Sequence, residues 1–150
     1  MRKNILLLLL LFVFMVGCGS NLKKNPEQEY LNKVNSILDE AIKDNMADYK
    51  TLKYNSAPTS TMYDKKHLDK VLKENKDGIN KLKSISKPDT DRAKKIYSKA
   101  LYCLNKAQEE VLIRKTIKKD NEIKSAMNVM EELNLAVADF KLMKLEEEKN

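Results

Sequence analysis

The sequence predicts an all-α protein whose helices pack as an antiparallel bundle. Glycine and proline each occur only three times in 150 residues, and 34% of the residues are charged. Apolar residues recur at spacings of three and four in four separate segments, which is the spacing of one helix face. Together these observations favour helices with an apolar stripe and a heavily charged outer face. We expect four helices; the alternative is three, with the last two continuous.

The first helix is predicted to begin at Asn25-Pro26-Glu27. Asparagine is a good N-cap, proline suits the first helical position, and an acid suits the first turn. The helix should stop before Pro58, because residues 55–61 (Asn-Ser-Ala-Pro-Thr-Ser-Thr) form the clearest loop in the chain. Its apolar face consists of Leu31, Val34, Leu38, Ala41, Ile42, Tyr49 and Leu52.

The second helix is predicted to follow a capping signal formed by Thr61 and Asp64. Asn75 interrupts its apolar stripe. Gly78 costs roughly 1 kcal/mol in a helix interior, so it indicates a kink or a close helix contact. The stripe consists of Leu68, Val71, Leu72, Ile79, Leu82 and Ile85.

The third and fourth helices are the last two segments. A tight connection at residues 86–89 precedes the third helix, and Asp89 can cap it. The break between the two helices is expected at residues 118–121, where lysines suit a helix end, Asp120 suits the next cap and the apolar stripe shifts by roughly 70°. A single helix of about 60 residues would be near 90 Å long, much longer than the other helices. The two stripes are Ala93, Ile96, Tyr97, Ala100, Leu104, Ala107 and Val111, then Ile123, Ala126, Met130, Leu133, Val137 and Phe140.

The N-terminal segment has the pattern of a secretory signal. Arg2 and Lys3 precede an unbroken apolar run from Ile5 to Val16, and Gly17-Cys18 follows it. The run has 12 residues, fewer than the roughly 18–20 of a spanning helix. The sequence Met-Val-Gly-Cys at residues 15–18 resembles the lipobox of bacterial lipoproteins. The resemblance implies that residues 1–17 are a signal peptide, that cleavage falls between Gly17 and Cys18, and that Cys18 carries a diacylglyceryl group.

This resemblance places the protein on the extracytoplasmic face of the cell membrane, held by its lipid. Two acyl chains are enough for stable anchoring. Residues 18–24 then form the lipidated N-terminus and a linker of at most about 25 Å, and residues 25–150 form one helical domain. Lys23 and Lys24 either add about 1 kcal/mol each by meeting anionic headgroups or are simply solvated. With Cys18 lipidated, Cys103 has no disulfide partner, and we expect it to pack as a small hydrophobe.

The charge is concentrated in the middle of the chain. Residues 64–106 carry 13 Lys or Arg against 6 Asp or Glu, whereas residues 107–150 carry 8 against 10. Nucleic acid is an improbable partner outside the cytoplasm, so an anionic lipid or wall polymer suits such a face better. The alternative is that these lysines solvate a helix pair and complement acids elsewhere in the fold.

No catalytic or metal-binding set is apparent in the sequence. His67 is the single histidine and, in a polar first turn, is expected at the surface. There is no nucleophile elbow, phosphate loop or dinucleotide fingerprint. A di-iron bundle needs two Glu-x-x-His motifs, which one histidine cannot supply. Adjacent acids such as Glu109-Glu110 are expected on a solvated face.

The leading hypothesis is therefore a non-enzymatic lipoprotein that binds a protein, an anionic lipid or a wall polymer of the bacterial envelope, with no cofactor besides the covalent lipid on Cys18. Its candidate contact surface lies beside the loop at 55–61 and comprises Tyr54, Tyr63, Lys65 and Lys66. The alternative is a small-solute or metal-binding lipoprotein that uses the polar break at Asn75 and Gly78. An enzyme is the least supported hypothesis.

Overall fold

The computed structural model describes residues 25–54, 63–117 and 120–147, with the side chains of the last range described for residues 123–143. Several expectations lie outside these residues. They concern the signal peptide with Gly17 and Cys18, the linker lysines Lys23 and Lys24, the loop at 55–61 with Thr61, and the side chain of Asp120.

The described part of the chain is helical and contains no β-strand, so the all-α prediction is confirmed. The helices pack against one another as a bundle. In these residues there are five: α1 (Pro26–Ala41), α2 (Lys43–Tyr54), α3 (Lys65–Ser84), α4 (Asp91–Thr116) and α5 (Asp120–Glu147).

The expected count of four is not confirmed, because the first predicted helix is divided at Ile42. Hydrogen bonds of 3.0 Å still join the Ile42 amide to Leu38 and the Met46 amide to Ile42. The Ala41 carbonyl, however, accepts from Asn75 Nδ2 at 2.6 Å instead of from the amide four residues ahead. A side chain inserted into the helical ladder in this way is a recognised cause of a break.

Helix α3 runs antiparallel to α1 and α2. Lys81 contacts Glu40 at 2.9 Å, and Lys70 contacts Asp44 at 2.7 Å. The contacting residue number on α3 therefore falls from 81 to 70 as the chain passes from α1 to α2, which is the antiparallel order. Beyond the break at Ile42, α2 keeps side-chain contacts with α3, but its backbone packs most closely against α5.

Helices α4 and α5 also form an antiparallel pair. Lys106 Nζ lies 2.8 Å from Glu132 Oε2, and Lys99 pairs with Asp139. Two helices in contact along their lengths cannot be one continuous rod, which excludes the three-helix alternative. By contrast α1 and α4 run in the same direction, because Glu27 pairs with Arg92 near their N-termini.

The core is formed by the predicted apolar stripes. Every stripe contributes fully buried side chains, and Cys103 is buried among them. Burial raises the pKa of the Cys103 thiol to about 11, which disfavours the reactive thiolate. The largest apolar side chains with almost no exposure are Leu31, Leu38, Ile42, Leu68, Leu82, Ile96, Leu104, Met130, Leu133 and Phe140.

The helix starts follow the predicted capping chemistry, with two shifts. Asn25 Oδ1 accepts from the Glu27 amide at 3.0 Å, as predicted. Asp64, rather than Thr61, is the N-cap of α3. Thr90, rather than Asp89, is the N-cap of α4. In both cases a neighbouring polar residue satisfies the free amides of the first turn.

Gly78 marks a close contact between α3 and α1. A Cβ atom at this position would lie 2.4 Å from Ala41 Cβ and 3.2 Å from Leu104 Cδ2. The glycine therefore lets α3 approach the end of α1 closely enough for Asn75, one turn away, to reach the Ala41 carbonyl. Its cost in helix propensity is offset by this contact.

We expect Gly78→Ala to destabilise the protein, although alanine is the better helix former. The added methyl overlaps Ala41, and overpacking of this kind costs about 1–3 kcal/mol, more than the roughly 1 kcal/mol gained in propensity. Urea denaturation measures the free energy of unfolding. Asn80→Ala, at an exposed position on α3, is the control and should change it by less than about 0.5 kcal/mol. A Gly78→Ala variant more stable than the wild type would refute the close contact.

Candidate functional site

The predicted contact residues lie at one end of the bundle. Tyr54 ends α2 and is 76% exposed, and Lys65 and Lys66 are exposed in the first turn of α3. Tyr63 precedes that turn and differs from the expectation of free exposure, because it is half-buried and its hydroxyl is covered. We call this the distal end, since it is opposite the end where Asn25 begins α1.

A network of mostly buried polar side chains lies beneath the distal end, and the apolar stripes alone do not predict it. It joins α2, α3 and α4 through side chains that would normally be exposed. Its members are Asn45, Asp48, His67, Asn75, Glu110 and Arg114.

Arg114 is the central residue of this network and is only 2% exposed. Its Nη2 donates to Glu110 Oε2 at 3.0 Å, and its Nε pairs with Glu110 Oε1. Its Nη1 donates to Asp48 Oδ2 at 2.5 Å. One guanidinium thus holds a carboxylate on its own helix and another on α2. Two-point pairing of this kind is both strong and geometrically specific.

Glu110 is completely buried, which corrects the expectation of a solvated face. Burial raises the pKa of its carboxyl above the usual value, and the contacts with Arg114 and Asn45 offset part of that rise. The carboxylate is therefore costly to bury, and it depends on the partners that the fold places around it.

Two asparagines extend the network to the break in the first helix. Asn45 Nδ2 donates to Glu110 Oε2 at 2.8 Å and to the Ala107 carbonyl at 3.1 Å. Asn75 Nδ2 donates to Asn45 Oδ1 at 2.8 Å as well as to the Ala41 carbonyl. The polar break predicted at Asn75 is thus occupied by the protein's own amide groups.

His67 closes the network on the outside. Its Nε2 lies 2.9 Å from Asp48 Oδ2, and its side chain is 27% exposed, so it is not the free surface residue that was expected. Because a carboxylate can only accept, Nε2 donates. An aspartate that orients a histidine is part of a general-base arrangement. No described serine, threonine or cysteine hydrogen-bonds to this histidine; the pair joins α2 to α3.

The sequence does contain a signal for the network. Asn45 and Asp48 continue the spacing of the first apolar stripe, Asn75 lies within the second, and Glu110 and Arg114 continue the third. Polar residues at such inward positions commonly fix the alignment of packed helices. Extending the helical spacing of each stripe to polar residues, rather than to apolar ones alone, would have placed these side chains in the interior of the bundle.

A groove of about 540 Å³ lies between α1, α2 and α3 on the outside of the break. Ile37, Ala41 and Gly78 form its apolar part. Charged side chains line the remainder, and ion pairs join several of them, including Lys70 with Asp44 and Lys81 with Glu40.

Residues 25–54, 63–117 and 120–147 contain no group of three His, Cys, Asp or Glu side chains placed to hold a metal ion. Over the same ranges, no helix combines the length and the apolar character needed to cross a bilayer. No protein-family model, curated protein or solved structure matches the chain.

We expect Arg114→Met to destabilise the protein by about 3–5 kcal/mol. The substitution keeps most of the side-chain volume but leaves Glu110 and Asp48 buried without their cation. Thermal or urea unfolding measures the loss. The control is Lys115→Met, which removes an exposed pair with Asp69 and should cost less than about 1 kcal/mol.

A second variant distinguishes charge from packing. Arg114→Met combined with Glu110→Leu removes both members of the buried pair, so much of the loss should be recovered. Equal losses for Arg114→Met and Lys115→Met would show that the network does not hold the helices.

Proposed function

We propose that this protein is a lipoprotein held by Cys18 at the extracytoplasmic face of a bacterial membrane, and that it acts as a non-enzymatic binding module. Its distal end, with Tyr54, Lys65 and Lys66, contacts another protein of the envelope. The observation that carries the proposal is the position of these exposed side chains at the end of the bundle opposite the anchored N-terminus.

The geometry supports different roles for the N-terminal end and the distal end of the bundle. The chain from Pro26 to Tyr54 rises about 40 Å. The linker at residues 18–24 spans at most about 25 Å, so it keeps the N-terminal end close to the bilayer. The distal end is therefore the part of the bundle that extends farthest from the anchor.

The composition of the distal end suits a protein partner. An exposed tyrosine offers a large, rigid apolar surface with a polar hydroxyl, and tyrosines are enriched in protein interfaces. Lys65 and Lys66 beside it favour an acidic patch on the partner. The buried network beneath fixes α2 relative to α3, so the contact surface is preorganised and loses little entropy on binding.

A photo-crosslinking amino acid placed in living cells tests this proposal. At Tyr54 or Lys66 it should form an adduct with a discrete envelope protein. Tyr102 and Lys95, which are exposed on α4, are matched controls and should form none. Equal adducts at all four positions, or none at Tyr54 and Lys66, would contradict the distal surface.

The same strains test the anchor through Cys18→Ser. The substitution should abolish labelling by radioactive palmitate and also remove the adduct at Tyr54, because the protein no longer stays at the membrane. Continued labelling would refute the lipobox. An adduct that persists without labelling would separate the binding surface from the anchor.

The alternative is a small-solute or metal-binding lipoprotein that uses the groove beside Gly78. The volume of the groove favours this reading, since about 540 Å³ is enough for a small molecule. Its charged groups are largely engaged by one another, however, and a ligand would have to displace those ion pairs. The exposed distal end therefore has the stronger support.

A further inference from the structure

The outer face of α3 carries a stripe of exposed lysines that runs along the bundle. They lie within an arc of about 100° around the helix, and the stripe is about 27 Å long. We call it the lysine stripe; its members are Lys65, Lys66, Lys73, Lys76 and Lys83.

The lysine stripe forms no ion pairs with the rest of the described chain. None of its members forms an ion pair there, whereas Lys70 and Lys81, on the side of α3 that faces α1 and α2, pair with Asp44 and Glu40. The acid inside the arc is Asp69, and Lys115 of α4 already engages it. Solvation of a helix pair thus accounts for some lysines of the basic middle segment, but these five lysines have no ion-pair partner among the described residues.

The shape of the lysine stripe suits a flat anionic surface. It lies on the convex face of one helix, so a linear polymer would have no second basic wall to hold it. Apart from Tyr54 at the distal end, the large exposed apolar side chains of the described residues lie elsewhere: Tyr102 and Leu112 on α4, Leu135 and Leu142 on α5. The contact it offers is therefore electrostatic and requires no insertion into the hydrocarbon.

The position of the lysine stripe matches that of the anchor. Its Lys83 end lies near the start of α1, because Ser86 and Pro88, just after α3, line one groove together with Pro26 and Tyr30. Asn25, where α1 begins, therefore lies at the same end of the bundle as Lys83. A tether at this place keeps the stripe at high effective concentration near the bilayer.

We propose that the lysine stripe lies on the anionic headgroups of the membrane through Lys73, Lys76 and Lys83, so that the bundle axis runs along the bilayer surface and Lys65 and Lys66 stay at the distal end for the partner. This inference rests on the lipid anchor of the proposed function. It sharpens that function, because the distal end then points along the membrane toward a partner that is itself close to the bilayer.

Vesicle sedimentation tests the proposal without the lipid. The chain from residue 18 onward, with Cys18→Ser, is mixed with vesicles of phosphatidylcholine containing about one third phosphatidylglycerol, or with phosphatidylcholine alone. We expect binding to the anionic vesicles only, weakened by added salt. Lys73→Glu, Lys76→Glu and Lys83→Glu together should weaken binding by about 100-fold or more, since each lysine at an anionic surface contributes about fivefold.

The matched control carries the same change in charge on other faces. Lys50→Glu, Lys95→Glu and Lys124→Glu together should weaken binding by less than about tenfold, because these lysines lie away from the stripe. Equal losses of vesicle binding in both variants would show that binding depends on net charge alone, and this would overturn the proposal. Failure to bind anionic vesicles, with or without binding to an anionic wall polymer, would also overturn it. Palmitate labelling of Cys18 is independent of all these results, so the anchor and the stripe can fail separately.

Discussion

The ion pair between Arg114 and Glu110 is the interaction on which the arrangement of the helices depends. Burying two charges costs several kcal/mol each, and this is compensated only when geometry and additional hydrogen bonds are favourable. Here Asp48 and Asn45 supply those hydrogen bonds from α2. Any sliding of α2 along α4 would separate these groups. The hydrogen bonds from the buried pair to Asp48 and Asn45 therefore fix the alignment of the two helices.

The break at Ile42 and the glycine at position 78 follow from the same constraint. Asn45 must reach Glu110 on one side and Asn75 on the other. Asn75 reaches the Ala41 carbonyl because Gly78 permits close packing of α3 against α1. At the break, the Ala41 carbonyl gives up its backbone hydrogen bond and instead accepts a short one, of 2.6 Å, from the Asn75 side chain. The polar layer therefore determines where the chain bends and where the distal end lies.

The sequence was sufficient for the fold class and the apolar core, because periodicity and caps are local signals. The stripes through Leu38, Leu104 and Phe140 are buried as predicted. It was insufficient for the break at Ile42, the burial of Glu110 and the partner of His67. Each of these depends on which residues of another helix lie next to it. The amino-acid sequence alone does not identify those neighbours. The candidate contact site was likewise predicted only in part: Tyr54 is exposed as a contact residue should be, whereas Tyr63 is half-buried.

The proposed function combines a lipid at one end, a preorganised contact surface at the other and a basic face between them. The contact surface requires α2 to stay docked, because α2 carries Tyr54 and its polar side chains hold it to α3 and α4. Native-state hydrogen exchange on the wild-type protein measures this docking directly. The opening free energies of the amides from Met46 to Lys50 should lie within about 1 kcal/mol of those from Leu31 to Leu38, because one cooperative unit contains both. Exchange of the α2 amides at nearly unfolded rates, while α1 remains protected, would contradict the central role of the buried network.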